Sequence, residues 1–253
     1  MTDSKAIPGS TGGQSKFAFM IDHSETYGSH VIEAFLSHLK SIETIADLGA
    51  GPGRDLAIAK SLFPEAQTIA VENYPAYVQK LANVDQVFPV NIERDRLPFA
   101  DESIDVIMAN QVLEHTKEIF WIFHEVTRSL KVGGHFIIGV PNIASLHNRL
   151  LLLLGRHPTQ HKAYSAHVRP FSKHDTVRFT EVCFPGGYRL VKFAGSQFYP
   201  FPKTIARFAA KYAPTMAFSI FFMFQKVRDY SEQFLEHPVR ANLETPFYLG
   251  GLD

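Results

Sequence analysis

Five short apolar runs alternate with stretches of helical spacing between residues 44 and 141, and this alternation constrains the fold more than any other feature of the sequence. The runs are continuously hydrophobic, as in strands that are buried on both faces. Strands that alternate with helices form βαβ units and a parallel sheet. We therefore predict an α/β fold with strands at 44–48, 67–72, 87–90, 103–109 and 135–141.

The rest of the chain extends this pattern. Apolar spacing predicts helices within 17–39, over Leu146–Leu154, at 172–183 and near 203–212, and aromatic-rich runs at 189–195 and 218–227 predict two more strands. A length of 253 residues suits one large α/β domain. We predict a flexible leader at 1–16, a single domain at 17–228 with a cofactor half (40–142) and a substrate or lid half (143–228), and a weakly ordered acidic tail at 229–253.

The charges are unevenly distributed, although 25 basic and 25 acidic residues cancel. Residues 143–228 carry 13 basic and 2 acidic side chains, against 11 and 18 in residues 1–142 and 1 and 5 in residues 229–253. A basic block of this kind favours an anionic partner, such as a phosphate, a carboxylate, a nucleic acid or a membrane surface. A solvated face that the acidic half neutralises is an equally good interpretation.

The sequence also limits where the protein works. We expect no signal peptide, because residues 1–16 are polar, and no spanning helix, because no apolar run reaches about 18 residues. The single cysteine, Cys183, excludes an intramolecular disulfide and fits a reducing cytosol, so we expect a cytoplasmic protein. The apolar stretches at 150–154 and 217–224 are interpreted as core segments, with peripheral membrane contact as the alternative.

A glycine-rich turn follows the first predicted strand, in the order Asp47, Gly49, Gly51 and Gly53. Glycines at this place let the backbone approach a ligand closely and adopt positive φ. The dinucleotide fingerprint G-x-G-x-x-G would need a glycine at position 54, where Arg54 stands. Asp47, two residues before the first glycine, suits an ammonium group better than a pyrophosphate.

Polar residues follow three further predicted strands. In an open parallel sheet, ligands bind outside the carboxyl ends of the strands, at the point where the strand order reverses. Glu72 closes the second strand, and a carboxylate there accepts hydrogen bonds from both hydroxyls of a ribose. Asn91 and Ile92 follow the third strand, and Asn110 and Gln111 follow the fourth. The sequence therefore predicts an adenosine-binding site at this edge.

These motifs together resemble those of the class I S-adenosylmethionine-dependent methyltransferases, in the small-molecule branch that includes quinone-ring and glycan-modifying enzymes. The resemblance covers about the first 140 residues in order and spacing, and it rests on the segments IADLGAGPG, AVENY, NIERDRLPFADESIDVI, ANQVLEH and LKVGGHFIIGVPN. It implies a Rossmann-like, doubly wound, seven-stranded sheet whose last strand is antiparallel, with helices on both faces. It also implies S-adenosylmethionine as the cofactor.

The resemblance assigns roles to the residues of these motifs. It places Asp47, Gly49 and Gly51 along the methionine part of the cofactor and Glu72 on the ribose. Asn91 and Ile92 would line the adenine, although the family often has Asp where Asn91 stands. Asn110 and Gln111 would lie near the sulfonium.

His115 is the predicted catalytic base. Methyl transfer to an alcohol or phenol needs a proton acceptor. His115 follows the fourth strand, and histidine is the side chain that ordinarily changes charge near neutral pH. A structural histidine under the next helix is the competing interpretation. Some quinone-ring methyltransferases bind a metal through E-x-x-E-H, but Gln111 replaces the first carboxylate of that cluster here. We therefore predict catalysis without a metal.

The substrate is predicted to contact the N-terminal helix and the His-rich loop. The candidate residues are Tyr27, His161, His167 and Arg169, the last two of which belong to HVRPFS, a segment that resembles the family's H-x-R-x-[FY]-[ST]. Together with the basic block, they favour an anionic small-molecule, glycan or lipid-linked acceptor that is methylated at oxygen.

Three other functions are compatible with parts of the sequence. An RNA methyltransferase would use the basic block, but the Asn/Asp-Pro-Pro-aromatic motif of adenine-amine enzymes and a suitably placed cysteine nucleophile are both missing. A non-catalytic binding module with a methyltransferase fold is a second alternative. A nicotinamide-dependent oxidoreductase is disfavoured by Arg54. The sequence does not indicate the oligomeric state.

Overall fold

The computed structural model of the chain describes residues 27–199 and 201–251. In these residues the strands are β1 Thr44–Leu48, β2 Gln67–Val71, β3 Gln86–Phe88, β4 Ile104–Asn110, β5 Leu130–Pro141, β6 Tyr188–Ser196 and β7 Ser219–Lys226. The α-helices are α1 Ser29–Leu36, α2 Arg54–Leu62, α3 Pro75–Val78, α4 Ile119–Ser129, α5 Leu146–Leu153, α6 Lys173–Cys183, α7 Lys203–Tyr212 and α8 Gln233–Arg240. The predicted leader at 1–16 lies outside the described residues.

The strands form one seven-stranded sheet in the order β3-β2-β1-β4-β5-β7-β6. Strands β1 to β5 pair in parallel, and β7 lies antiparallel between β5 and β6. This confirms the predicted fold, including the antiparallel last strand. The strand order reverses between β1 and β4, which places their carboxyl ends side by side and opens a crevice there.

Helices cover both faces of the sheet because alternate side chains of each strand point to opposite sides. Ile137 of β5 joins a buried cluster with α1 and α2, whereas its neighbour Phe136 joins a cluster on the other face with α4. Phe221 and Phe222 of β7 divide in the same way. The 217–224 stretch is therefore core, as predicted.

Several boundaries differ from the predicted ones. The helix expected after β2 shrinks to the single turn of α3, and β3 ends at Phe88 before Pro89. Helix α4 ends at Ser129, and β5 begins at once at Leu130, five residues before the predicted strand at 135–141. A proline lacks the N–H that a strand ladder needs, which explains the early end of β3.

The prediction of a weakly ordered tail is wrong for its described part. Residues 233–240 form α8, and Phe234 is fully buried against Phe123 of α4, with 5.3 Å between ring centroids. Farther along, Tyr248 makes an edge-on contact with Trp121 at 4.9 Å. A few aromatic anchors hold this segment down, and a polar composition hides such anchors from a pattern-based prediction.

The prediction that the leucine run at 150–154 is a core segment is also wrong. Leu153 and Leu154 are 82% and 71% exposed, and Leu150 and Leu152 are each 55% exposed. Asn148 is the buried residue of α5, and four of the five leucines at 150–154 are exposed. Among residues 27–199 and 201–251, none of the helices combines the length and hydropathy needed to cross a bilayer.

Candidate active site

A cavity of about 330 Å³ lies at the carboxyl edge of the sheet, over the crevice between β1 and β4. Loops that follow four neighbouring parallel strands supply its walls, as expected for a ligand site in this architecture. Its lining residues are Gly49, Val71, Glu72, Asn73, Val90, Asn91, Ile92, Glu93, Gln111, Val112, His115 and Thr116.

The glycine-rich turn has positive φ at Gly49 (65°), Gly51 (53°) and Gly53 (83°). A Cβ at Gly49 would lie 2.6 Å from Cγ2 of Val112, so no larger residue fits there. A Cβ at Gly51 would meet no atom within 4 Å. The turn is therefore packed tightly against the β4 loop at Gly49 and open at Gly51, where a ligand has room to approach the backbone.

Glu72 is held in a fixed position at the end of β2. Its Oε2 accepts a hydrogen bond from the backbone N–H of Gly51, and its Oε1 accepts one from Tyr74, each at 2.8 Å. The residue is only 8% exposed. Each carboxylate oxygen keeps a second lone pair, so this fixed carboxylate can still accept two hydrogen bonds from a diol.

Acidic groups dominate the β1 end of the site. Asp47 is buried, and desolvation raises the pKa of its carboxyl well above the ordinary value, with further increases from Asp55 and Glu72 and an opposing effect from Arg54. A carboxylate in such a setting favours a neighbouring cation. The position therefore suits the ammonium group expected from the sequence.

Arg54 and Asp55 link this end of the site to α1. The guanidinium of Arg54 donates to both carboxylate oxygens of Asp55, at 2.7 and 2.8 Å, and lies 4.8 Å from the ring centre of Tyr27. Asn110 donates from Nδ2 to Asp55 (2.8 Å) and to the carbonyl oxygen of Tyr27 (2.9 Å). Sequence reasoning did not assign Arg54 or Asp55 a role, although Arg54 is the residue that breaks the dinucleotide fingerprint.

Two amide groups at the end of β4 have unused hydrogen-bonding atoms. Oδ1 of Asn110 and Nε2 of Gln111 are buried and have no hydrogen-bond partner among the described residues. Gln111 also has a positive φ of 59°, an uncommon conformation for a residue other than glycine, asparagine or aspartate. Gln111 lines the cavity, and a buried polar atom without a partner is costly, so its amide favours a polar ligand there.

His115 connects the cavity with the His-rich loop. It ends a 3₁₀ turn at Leu113–His115 and its side chain is 45% exposed. Its Nδ1 lies 3.2 Å from the carbonyl oxygen of Ala166, and its ring contacts His167 edge-on, with 4.7 Å between centroids. The predicted base therefore lies between the cofactor cavity and the loop that was expected to bind substrate.

Residues 156–169, here called the lid, are fastened over the 3₁₀ turn. The backbone N–H groups of Val168 and Arg169 donate to the carbonyl oxygen of Glu114, and Nη2 of Arg169 donates to that of Lys117 at 2.7 Å. Nε of Arg169 is buried without a partner in the described part of the chain. Nη2 thus holds the Arg169 side chain in place, while its Nε–H remains available to donate a hydrogen bond.

Two lid histidines, His161 and His167, have lowered pKa values. Burial, with smaller contributions from His115 and His161, lowers the pKa of His167 to about 4. Burial also lowers the pKa of His161. Each has one buried ring nitrogen without a partner among the residues described, Nε2 in His161 and Nδ1 in His167. These free ring nitrogens can exchange hydrogen bonds with an acceptor molecule.

Glu114 is a further residue of this region to which the sequence assigned no role. It is 1% exposed, its Oε2 has no partner within the described residues, and desolvation raises the pKa of its carboxyl to about 8. Ligand atoms of Glu114, His115 and His167 all lie within 4.8 Å of one another, so these three could hold a metal ion. Glu114 and His115 lie far from the lid histidines in the sequence, and only the fold brings these residues together.

The predicted site residues therefore fall into three groups around one edge of the sheet. Gly49, Glu72, Asn91, Ile92, Gln111 and His115 line the cavity; Asp47, Gly51, Asn110 and Tyr27 lie at or beside the glycine-rich turn; His161, His167 and Arg169 belong to the lid.

Comparison with known proteins identifies the central part of the chain. Residues 46–138 match the family described as methyltransferase domain. Malonyl-[acyl-carrier protein] O-methyltransferase of Legionella pneumophila is 30% identical over 115 residues, which are 42% of this chain and 39% of that protein. The matched parts make up about a quarter to two fifths of the lengths of the curated relatives.

Two solved structures show the same fold. A methyltransferase from Archaeoglobus fulgidus has a TM-score of 0.54 and 16% identity, over 83% of this chain and all of that one. The plantazolicin methyltransferase BpumL, solved with S-adenosylhomocysteine, has a TM-score of 0.57 and 14% identity, over 83% of this chain and 88% of that one. The match of residues 46–138 and the shared fold both agree with the resemblance to class I S-adenosylmethionine-dependent methyltransferases.

Proposed function

We propose that the whole protein transfers the methyl group of S-adenosylmethionine to a hydroxyl oxygen of a small-molecule, glycan or lipid-linked acceptor. The observation that carries the proposal is the position of His115, which lines the cofactor cavity on one side and contacts the lid on the other. An acceptor between the lid and the cavity would have a proton acceptor beside its hydroxyl group.

The cavity residues fit the cofactor. The fixed carboxylate of Glu72 suits the ribose diol, and Asn91 and Ile92 would line the adenine. The unpartnered Nε2 of Gln111 would gain a polar partner, and the acidic setting of Asp47 suits the methionine ammonium group. The sulfonium supplies an excellent leaving group, so the chain's contribution is mainly to hold the reacting atoms in line.

His115 would act as the general base through Nε2. Because Nδ1 faces the carbonyl oxygen of Ala166, which only accepts hydrogen bonds, Nδ1 carries the proton in the neutral ring and Nε2 keeps a free lone pair. This nitrogen would take the proton from the acceptor hydroxyl. Oε1 of Glu114 lies 4.0 Å from Nε2, close enough to interact with the imidazolium that forms.

Arg169 would bind an anionic group of the acceptor. Its fixed guanidinium has an unused Nε, and arginine pairs well with carboxylates and phosphates. Much of the remaining basic block lies elsewhere. Lys226, for example, is buried and pairs with Glu102 at 2.8 Å. The preference for an anion therefore depends on Arg169 more than on the net charge of the segment.

Catalysis is proposed to need no metal ion. The donor set of Glu114, His115 and His167 would suit a divalent transition metal. Against this, burial keeps the Glu114 carboxyl protonated at neutral pH, since its pKa is raised to about 8. Metal binding would have to displace that proton.

Two measurements test the proposed function. Titration calorimetry with S-adenosylhomocysteine should give binding that is lost in Glu72→Ala, and a screen of hydroxylated anionic acceptors with radiolabelled S-adenosylmethionine should give alkali-stable, ether-linked methyl products. Binding without turnover on any acceptor would favour the non-catalytic module. Methylation of RNA in place of small molecules would favour the RNA enzyme.

A further inference from the structure

Helix α7 is packed with its small side chains inward and its large apolar side chains outward. Ala206 and Ala210 are buried in a cluster with Phe198 and Ala217. By contrast, Ile205, Phe208 and Tyr212 are 52%, 66% and 69% exposed. These three are spaced i, i+3 and i+7, so they form one stripe along the outer surface of the helix.

The other outward side of α7 is basic. Lys203, Arg207 and Lys211 are all exposed, and in a helix they follow one another at four-residue spacing, beside the apolar stripe. A helix with a bulky apolar stripe next to a row of cations has the pattern of helices that lie in the plane of a membrane surface. The buried side chains of α7 are both alanines, Ala206 and Ala210.

Helix α5 adds a second exposed apolar surface next to α7. Leu146, near the start of α5, packs against the same alanine cluster, and the ring of His147 contacts Tyr199 with 4.6 Å between centroids. The exposed leucines occupy the far end of α5, and the lid begins directly after them. The two helices are therefore neighbours, and both present apolar side chains to solvent.

Charge identifies the partner. Between residues 143 and 228, acidic side chains occur only at Asp175 and Glu181, both on α6. The segments that form α5, the lid and α7 thus contain basic residues and no acidic ones. An anionic lipid surface complements this arrangement, because each Lys or Arg near such a surface adds to binding while apolar side chains enter the headgroup layer.

We propose that α5 and α7, together called the α5–α7 face, dock the protein peripherally on an anionic lipid bilayer. The face consists of Leu150, Leu153, Leu154, Ile205, Phe208 and Tyr212 with their neighbouring cations. A second copy of the chain fits less well, because a symmetric contact would bring the same cations together. This inference concerns binding only and does not rest on the proposed function.

Vesicle sedimentation with the full chain tests the proposal. We expect binding to phosphatidylcholine vesicles that contain about one third phosphatidylglycerol, weak binding to pure phosphatidylcholine, and a decrease in binding with added salt. The double variant Ile205→Ser/Phe208→Ser should weaken binding by about a hundredfold, since each bulky apolar side chain contributes about tenfold. Lys211→Gln should weaken it by about fivefold.

Val239→Ser is the matched control, because Val239 is 65% exposed on α8, away from the α5–α7 face. It should bind vesicles like the wild type, and circular dichroism should show unchanged melting for every variant, since all these side chains are exposed. Failure of the wild type to bind anionic vesicles, or undiminished binding by the double variant, would overturn the proposal. A wild-type dimer that the double variant converts to monomer would also overturn it, in favour of a second copy as the occupant.

Discussion

Oε2 of Glu72 accepts a hydrogen bond of 2.8 Å from the backbone N–H of Gly51. This contact joins the end of β2 to the glycine-rich turn after β1, so one carboxylate both fixes the turn and faces the cavity. Gly51 supplies the open backbone, and Glu72 supplies the charge that keeps it in place. The proposed cofactor site and the shape of the turn are therefore linked through this pair.

Replacing Glu72 with Ala should lower the affinity for S-adenosylhomocysteine by about 10- to 100-fold, because hydrogen bonds to a charged group are lost together with the fixed turn. Calorimetry measures the affinity, and thermal melting should show a modest decrease in stability. Glu65→Ala, which removes an exposed carboxylate, is the control. Equal affinities in Glu72→Ala and wild type would remove Glu72 from the cofactor site.

Replacing His115 with Ala should lower kcat by about 10²- to 10⁴-fold, the usual contribution of a general base. The affinity for S-adenosylhomocysteine should change far less than kcat. His157→Ala, at an exposed position of the lid, should keep the wild-type kcat and the wild-type affinity for S-adenosylhomocysteine. A His115→Ala enzyme with a normal kcat would show that this histidine is structural.

Replacing Arg169 with Ala should raise KM for an anionic acceptor by about tenfold or more and change kcat by less than about threefold. Arg169→Lys keeps the charge but loses the planar guanidinium group, so its KM should lie between those of the wild type and Arg169→Ala. Arg178→Ala, on the exposed side of α6, serves as the matched control. An unchanged KM in Arg169→Ala would contradict a role in acceptor binding.

The buried carboxyl of Glu114 should make stability depend on pH. Its pKa is raised to about 8 in the folded protein by desolvation, whereas the unfolded chain has an ordinary value near 4.5. Between these values the native state holds a proton that the unfolded state has released, so the free energy of unfolding falls as pH rises, by about 1.4 kcal/mol per unit. The loss is complete above about pH 8.

Glu114→Gln removes this titration while keeping the shape of the side chain. Urea unfolding in the presence of a chelator should therefore show the wild type losing stability relative to Glu114→Gln from about pH 5 to pH 8. Parallel pH profiles for the two proteins would show that the carboxyl is ionised in the fold at neutral pH.

Removal of divalent cations should leave methyl transfer intact. Enzyme dialysed against a chelator should turn over at the wild-type rate, and added Mn²⁺ or Zn²⁺ should not increase it. If activity disappears and a cation restores it, and if His167→Ala prevents that rescue, then Glu114, His115 and His167 bind a catalytic metal and the metal-free proposal fails.

Local pattern predicted the sheet and much of the cofactor cavity. Buried parallel strands are continuous apolar runs, and their carboxyl ends meet at one edge, so Glu72, Asn91 and Gln111 could be placed together before any coordinates were known. The glycine at position 49 was likewise predictable, because the residue that blocks a side chain there, Val112, follows the adjacent strand.

The rest depended on tertiary contacts between segments far apart in the chain. His167 lies 52 residues after His115, and nothing in either segment indicates that their rings touch. The buried anchors of the tail, such as Phe234, are single aromatic residues in a polar stretch. Such contacts form only when the fold fixes the directions of the loops. The local spacing of apolar residues does not predict those directions.

Helix α7 shows most clearly the difference between what the sequence predicts and what the tertiary structure determines. Its sequence alone determined that it would be a helix with one apolar stripe of Ile205, Phe208 and Tyr212. Periodicity reports which side chains share a face, but it does not report whether that face turns toward the protein or away from it. The close fit of Ala206 and Ala210 against the neighbouring cluster decided the orientation, because only small side chains allow that approach, and it left the large apolar side chains in solvent.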